Sequence, residues 1–158
     1  MANKYVKVKI PLPQPIEDKS IRSEVAELII ERIVERTISG KDVDGNNFPK
    51  YSTSYKNSLD FANAGKDEST VNLELSGDML ASLAYIKKES DDKHIVIGFD
   101  DESVEGRAEG NIRGSYGKDK GSRKLSRDFL GTSGFTKNKG VSDKDLGKII
   151  KYVIKSNK

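Results

Sequence analysis

The chain has 158 residues, of which 34% are apolar and 34% charged, with a net charge of +3 and no cysteine. That length holds one domain with a real core, although the apolar share is lean and the surface heavily solvated. The missing cysteines exclude a disulfide framework and thiolate metal sites, no run of about 18 apolar residues offers a membrane span, and MANKYVKVKI lacks the apolar stretch of a signal peptide, so the expectation is a protein that assembles in a cytoplasm.

KYVKVKI (4–10) alternates Tyr5, Lys7 and Lys9 with Val6, Val8 and Ile10, the pattern of a strand with one wet face. PLPQP should then stop pairing, because proline has no N–H to give to a ladder. Ile21, Val25, Leu28, Ile29, Val34 and Ile38 follow at helical spacing, with Ile33 filling the stripe and Glu24, Glu27, Glu31, Arg32, Glu35 and Arg36 mostly off it. This predicts an amphipathic helix of roughly five turns, capped by Ser20 and stopped by Gly40.

Residues 40–69 are polar, with turn chemistry at Asp44-Gly45 and Phe48-Pro49 and aromatics at Phe48, Tyr51, Tyr55 and Phe61. So long a connection in a compact domain usually has a task. The expectation is a partly ordered excursion with a short helical turn over Tyr51–Leu59. Val71, Leu73 and Leu75 alternate as a strand, Ser76 is placed to cap a short helix carrying Met79, Leu80 and Leu83, and 84–89 pairs with 94–99 as a hairpin across Ser90-Asp91-Asp92. SVEGRAEG (103–110) predicts a brief helix, and NIRGSYGKDKGSRK (111–124) a mobile basic loop. Ser142 and Asp145 form a capping box for a last helix, whose apolar stripe is Leu146, Ile149, Ile150, Val153 and Ile154, with lysines over the rest.

No catalytic constellation emerges. An EF-hand loop begun at Asp42 puts Asp44 at the third position, but Gly45 falls at the fourth, Asn47 stands where glycine is needed and Thr53 where the closing acid is needed; a tight turn at Asp44-Gly45 fits better. His94 is the only histidine and sits in a predicted strand, so it reads as a strand-surface residue. A phosphate loop aligned on Gly117-Lys118 has Ile112 in place of glycine and Asp119 in place of serine or threonine. Gly114–Gly117 matches only the bare GXXG of an RNA-binding KH loop. No catalytic residue, metal ligand or cofactor site is expected.

Charge is unevenly spread. Residues 1–70 balance, with 11 Lys/Arg and 11 Asp/Glu; residues 71–110 carry 4 against 10, and residues 111–158 carry 13 against 4. Three readings fit: differently solvated surfaces, subunit docking through opposite faces, or contact of the basic third with a polyanion.

Three segments in chain order resemble the phage virion-morphogenesis and tail-completion proteins of the Mu-like type, which join head to tail. The first is the helix end and turn with Arg36, Thr37, Gly40, Lys41, Asp42, Asp44, Gly45, Phe48 and Tyr55. The second is Ser76, Gly77, Met79, Leu80 and Ser82, and the third is Arg127, Phe129, Leu130, Gly131 and Ser133. The resemblance spans about residues 20–155. It departs where that family has a Tyr-Ala…His-x-x-Gly element, since this chain has VEGRAEGNIRG.

The resemblance implies a single α+β domain over 1–158, with the N-terminal and C-terminal helices packed on a small, mostly antiparallel sheet, and with 40–69 and 111–126 as extended or mobile arms. It implies a structural virion protein of the neck, a tail-completion or tail-terminator subunit, in a homo-oligomeric ring of sixfold symmetry. Its partners would be itself and the neighbouring neck, connector and tail-tube proteins, with no membrane and no cofactor. Asp44, Gly45, Phe48, Tyr51 and Tyr55 would form an inter-subunit arm, the alternative being a loop folded back on its own domain. Arg113, Lys118, Lys120, Arg123 and Lys124 would face packaged DNA through sequence-blind phosphate contacts. Arg127, Phe129, Leu130 and Gly131 would be structural. Two alternatives stay open: a connector or stopper ring of other symmetry, and a small basic nucleic-acid-binding module.

Overall fold

A computed structural model describes residues 7–48, 50, 56–63, 78–99, 104, 108, 129–130 and 141–157. In chain order the elements are strand β1 (Lys7–Pro11), helix α1 (Lys19–Ile38), helix α2 (Leu59–Asn63), helix α3 (Asp78–Ala81), strand β2 (Leu83–Tyr85), a 3-10 turn (Lys87–Glu89), strand β3 (His94–Phe99) and helix α4 (Asp143–Ser156). The class is α+β.

The sheet is antiparallel in the order β1-β3-β2, with β3 in the middle. Val8 lies opposite Ile97 and Ile10 opposite Ile95, while Leu83 lies opposite Phe99. These side chains stand on one face and are all buried. Val96, from the other face, is buried as well. This explains why HIVIGF reads as an almost unbroken apolar run, whereas β1 alternates: the edge strand keeps a wet face and the central strand does not. Pairing runs further than the prolines promised. Pro11 sits opposite His94 at the end of the edge strand, and the N–H groups of Leu12 and Ile16 donate to the carbonyls of Lys93 and Asp92, each at 2.8 Å. A proline at the end of an edge strand removes no interior ladder bond.

The long helix starts one residue before the expected cap. Asp18, not Ser20, is the N-cap, its Oδ1 accepting from the backbone N–H of Ser20 at 2.8 Å and of Ile21 at 3.2 Å. Both residue types cap well, and here the carboxylate reaches two free donors at once. The buried stripe of α1 is Val25, Ala26, Ile29, Ile33 and Thr37. Ile38, expected on that stripe, is 38% exposed, and its place in the last turn is taken by Thr37, which is fully buried. Thr37 satisfies its hydroxyl by donating from Oγ1 to the Ile33 carbonyl at 2.7 Å.

The hairpin forms with altered limits. Leu83, assigned by its spacing to the short helix, opens β2 instead, and that strand ends at Tyr85, where the 3-10 turn takes over. Val104 and Ala108, four residues apart in the segment predicted as a brief helix, are helical and buried. Within 51–59, where a helical turn is expected, Lys56 is helical, and a short helix follows at Leu59–Asn63; Tyr51–Tyr55, the strand over 71–75 and the Ser76 cap lie outside the described residues. At α4 Ser142 is the N-cap, its Oγ accepting from the Asp145 N–H at 3.2 Å, and in place of the box's return bond to the cap's backbone N–H the hydroxyl donates to Asp145 Oδ2 at 2.8 Å.

α1 covers the sheet through β2 and β3, and α4 runs alongside α1. The two helices are antiparallel, because Arg32 near the end of α1 meets Asp145 at the start of α4 (3.8 Å), while Glu24 near the start of α1 accepts from Asn157 beyond the end of α4 (3.2 Å). Leu146, Ile149, Ile150 and Val153 of α4 join the same core as Ile29, Ile33 and the sheet residues. Among the described residues no helix is long and apolar enough to cross a membrane.

Two outcomes test these local assignments. Asp18→Ala should lower unfolding free energy by about 1 kcal/mol in urea titration, and Ser20→Ala by a small fraction of that. The second concerns Asp91 in the β2–β3 connection, which accepts from the N–H of Lys93 at 2.8 Å and of His94 at 2.7 Å, with His94 Nδ1 at 3.1 Å. The Lys93 amide chiefly holds this carboxyl below its ordinary value; desolvation opposes it, and the His94 contacts add to the lowering. A depressed carboxyl stabilises the fold fully above its ordinary unfolded value and loses that contribution as pH falls on through its lower, folded-state value. The stability gap between the protein and its Asp91→Asn variant should therefore hold at neutral pH and close below about pH 4.

Candidate interaction surface

The region with the richest side-chain chemistry lies where α1 ends, the 40–48 turn reverses and α4 begins. Gly40 has φ 79°, the left-handed conformation that glycine adopts without strain. Around it the Gly40 N–H donates to the Thr37 carbonyl at 2.9 Å and the Lys41 N–H to the Arg36 carbonyl at 3.1 Å. This is the Schellman arrangement, and it satisfies two of the four carbonyls that a helix end leaves open.

The chain then closes a small loop on itself. Lys41 and Asn47 form an antiparallel bridge. Asp42 Oδ1 accepts from the backbone N–H of both Asp44 and Asn46, each at 2.9 Å, and the Gly45 N–H returns to the Asp42 carbonyl at 3.0 Å. Gly45 takes φ 83° at the bend. Asp42 is thus the organiser of a turn, its oxygen engaged by amides, and Asp44 and Gly45 stand exposed at its tip. The loop ends with the Phe48 N–H donating to the Gly40 carbonyl at 2.9 Å.

That closure corrects the expectation for Phe48. Only 4% of it is exposed, and it lies in the hydrophobic core with Ile33 and Leu130. Residues 40–48 fold back onto their own domain rather than extending as an arm, because burying a phenyl ring against the core outweighs anything it gains in water. Tyr51 and Tyr55 lie outside the described residues, as do Arg113, Lys118, Lys120, Arg123, Lys124, Arg127 and Gly131.

The third resembling segment meets the first here. Arg36 donates from Nη2 to the Phe129 carbonyl. Phe129 and Leu130 are fully buried, and the Phe129 ring meets Phe99 of the central strand edge-on, with centroids 6.4 Å apart. Phe129 and Leu130 thus belong to the hydrophobic core. The contribution of Arg36 was not apparent from spacing, since a lone arginine in a last helical turn reads equally well as a solvated charge near the helix dipole.

Outside this packed seam lies an open groove of about 450 Å³. Its lining mixes signs: Arg32, Arg36 and Lys41 against Glu35, Asp44 and Asp145, with Val43 and Val141 between them. Arg32 bridges Glu35 at 3.6 Å and Asp145 at 3.8 Å. The groove offers charge pairs and hydrogen-bonding groups to a polar partner surface. Among the described residues no group of three His, Asp or Glu side chains is placed to hold a metal ion, and His94 is engaged with Asp91 in the hairpin connection.

Burial makes Phe48 a stability residue. Phe48→Ala should cost about 3–5 kcal/mol in chemical denaturation, whereas an exposed arm residue would change stability little. Comparison of the chain with protein-family models, with curated proteins and with solved structures finds no match in any of the three.

Proposed function

We propose that this protein is a structural subunit of a phage head-to-tail interface, a neck or tail-completion protein that forms a ring, of sixfold symmetry, between the tail and the DNA-filled head. It works by fitting copies of itself and adjoining neck, connector and tail-tube proteins together, without turnover, metal or cofactor, in a virion assembled in the host cytoplasm.

One observation carries this reading. The described residues behind the resemblance gather into one packed unit: the Schellman stop at Gly40, the turn organised by Asp42, the Phe48 plug, and Arg36 holding the Phe129 carbonyl. Residues distant in sequence that are required together by packing are the kind that persist as a family pattern. The groove beside that unit is open and lined by charged and polar groups of both signs around Val43 and Val141, and the Ser142 hydroxyl in it is taken up in capping α4; that mix suits a protein partner better than a small substrate. The candidate arm in this reading now rests on Tyr51 and Tyr55, with Phe48 as its root. Arg113, Lys118, Lys120, Arg123 and Lys124 supply the DNA-facing charge.

A second reading, a small nucleic-acid-binding module, draws on the excess of 13 Lys/Arg over 4 Asp/Glu after residue 110. Native mass spectrometry of the purified protein, with and without a DNA duplex or an RNA strand, separates the two. The ring reading expects one closed multiple of the subunit mass, six by preference, in the absence of nucleic acid. A twelvefold particle would point to a connector or stopper. Monomers that gain mass only with nucleic acid would replace the ring reading with the module.

A further inference from the structure

The two long helices turn faces of opposite sign to the solvent. On α1, Glu24, Glu27, Glu31 and Glu35 are all exposed; at 3.6 residues per turn they fall within an arc of about 80°, opposite the buried stripe. On α4, Lys144, Lys148, Lys151 and Lys155 are all exposed and fall within about 60°, again opposite the buried side. Each row runs over twelve residues, a rise of about 16 Å along the helix. Each row also sets like charges three and four residues apart, which destabilises a helix on its own. Glu35 is offset by Arg32 and Glu24 accepts from Asn157. Among the described residues, Glu27, Glu31 and the four lysines have no ion-pair partner.

We propose that the glutamate face of α1 docks on the lysine face of α4 of a second copy of this chain. The proposal rests on the ring reading and names the surface through which the ring would close. The two rows are opposite in sign and equal in length, and among the described residues no ion pair joins a glutamate of one row to a lysine of the other within one chain: the seam between the antiparallel helices is held instead by Arg32–Asp145 and by Glu24, at the inner margin of its row, with Asn157. Tyr152, 65% exposed beside the lysines, and Ile38, at the end of the glutamate row, add an aromatic and an aliphatic contact to the same faces. A polyanion would account for the lysines alone. It would also approach a neighbouring helix carrying four carboxylates about 10 Å away, within the screening distance at moderate salt. Because one face meets the other and not itself, each added copy leaves one face of each sign open. Such a contact closes into a ring when its rotation permits.

Charge exchange tests it. One variant carries Glu24→Lys, Glu27→Lys and Glu31→Lys, and the other Lys148→Glu, Lys151→Glu and Lys155→Glu; circular dichroism checks that each is folded. Should either fail to fold, the glutamine versions at the same positions replace it. Sedimentation velocity at low salt should show the unaltered chain assembling, less so as salt rises. Each variant alone should self-associate at least about tenfold more weakly, and an equimolar mixture should recover assembly. Variants that assemble as the unaltered chain does, or a mixture without recovery, would overturn the docking while leaving the ring intact. A lysine variant that still assembles but no longer retains a DNA duplex would give that face to a polyanion instead. An unaltered chain that stays monomeric throughout would remove the docking and the ring together.

Discussion

The reversal at Gly40 is the constraint on which the rest of the architecture depends. A left-handed residue at the end of α1 lets Lys41 and Gly40 satisfy the carbonyls of Arg36 and Thr37, and it aims the chain back so that Phe48 enters the core only eight residues later. The same last turn places Arg36 where it can hold the Phe129 carbonyl, which anchors a segment more than ninety residues downstream beside the central strand. A residue with a side chain at Gly40 would strain this backbone, and the loop, the Phe48 plug and the Arg36 anchor would be disturbed together.

Around that corner the domain economises on apolar material. One helix covers one face of a small sheet, a second lies along the first, and the side chains of Phe48, Val104, Ala108, Phe129 and Leu130 fill the remaining gaps from outside the long elements. A lean core of this kind leaves much of both helices in contact with water. What stands there is sorted by sign, acidic on α1 and basic on α4, and the groove at the corner is mixed. Single-sign rows cost local helix stability, so their presence is more readily understood in terms of association than of folding. The proposed ring and the proposed docking faces follow from the same division: a domain just large enough to hold its shape, with its remaining chemistry directed at neighbours.

Much of this was legible in the amino-acid order, and the losses have identifiable causes. The two long helices and β1 are legible by periodicity, β3 by its apolar run after a turn, and the Ser142 cap by spacing, because each is decided within a few residues. Asp18 and Ser20 both cap well, and only the folded geometry chooses Asp18. Leu83 fits a helical stripe with Met79 and Leu80, but pairing with Phe99 draws it into the sheet, a tertiary preference invisible to local spacing. Phe48, in a polar stretch beside a turn, carried no sign that it would be swallowed by the core; the folded loop of Asp42 that delivers it there depends on side-chain-to-amide bonds rather than on pattern. Arg36 and Phe129 lie too far apart in sequence for their contact to be read from it.

In the proposed function the protein acts by assembling symmetrically with itself. The most direct measurement is the rotational symmetry of single particles of the purified protein in electron micrographs. Closed rings with one rotational order, six by preference, are the expected result. Featureless monomers across the accessible range of concentration and salt, or irregular aggregates without rotational order, would contradict it.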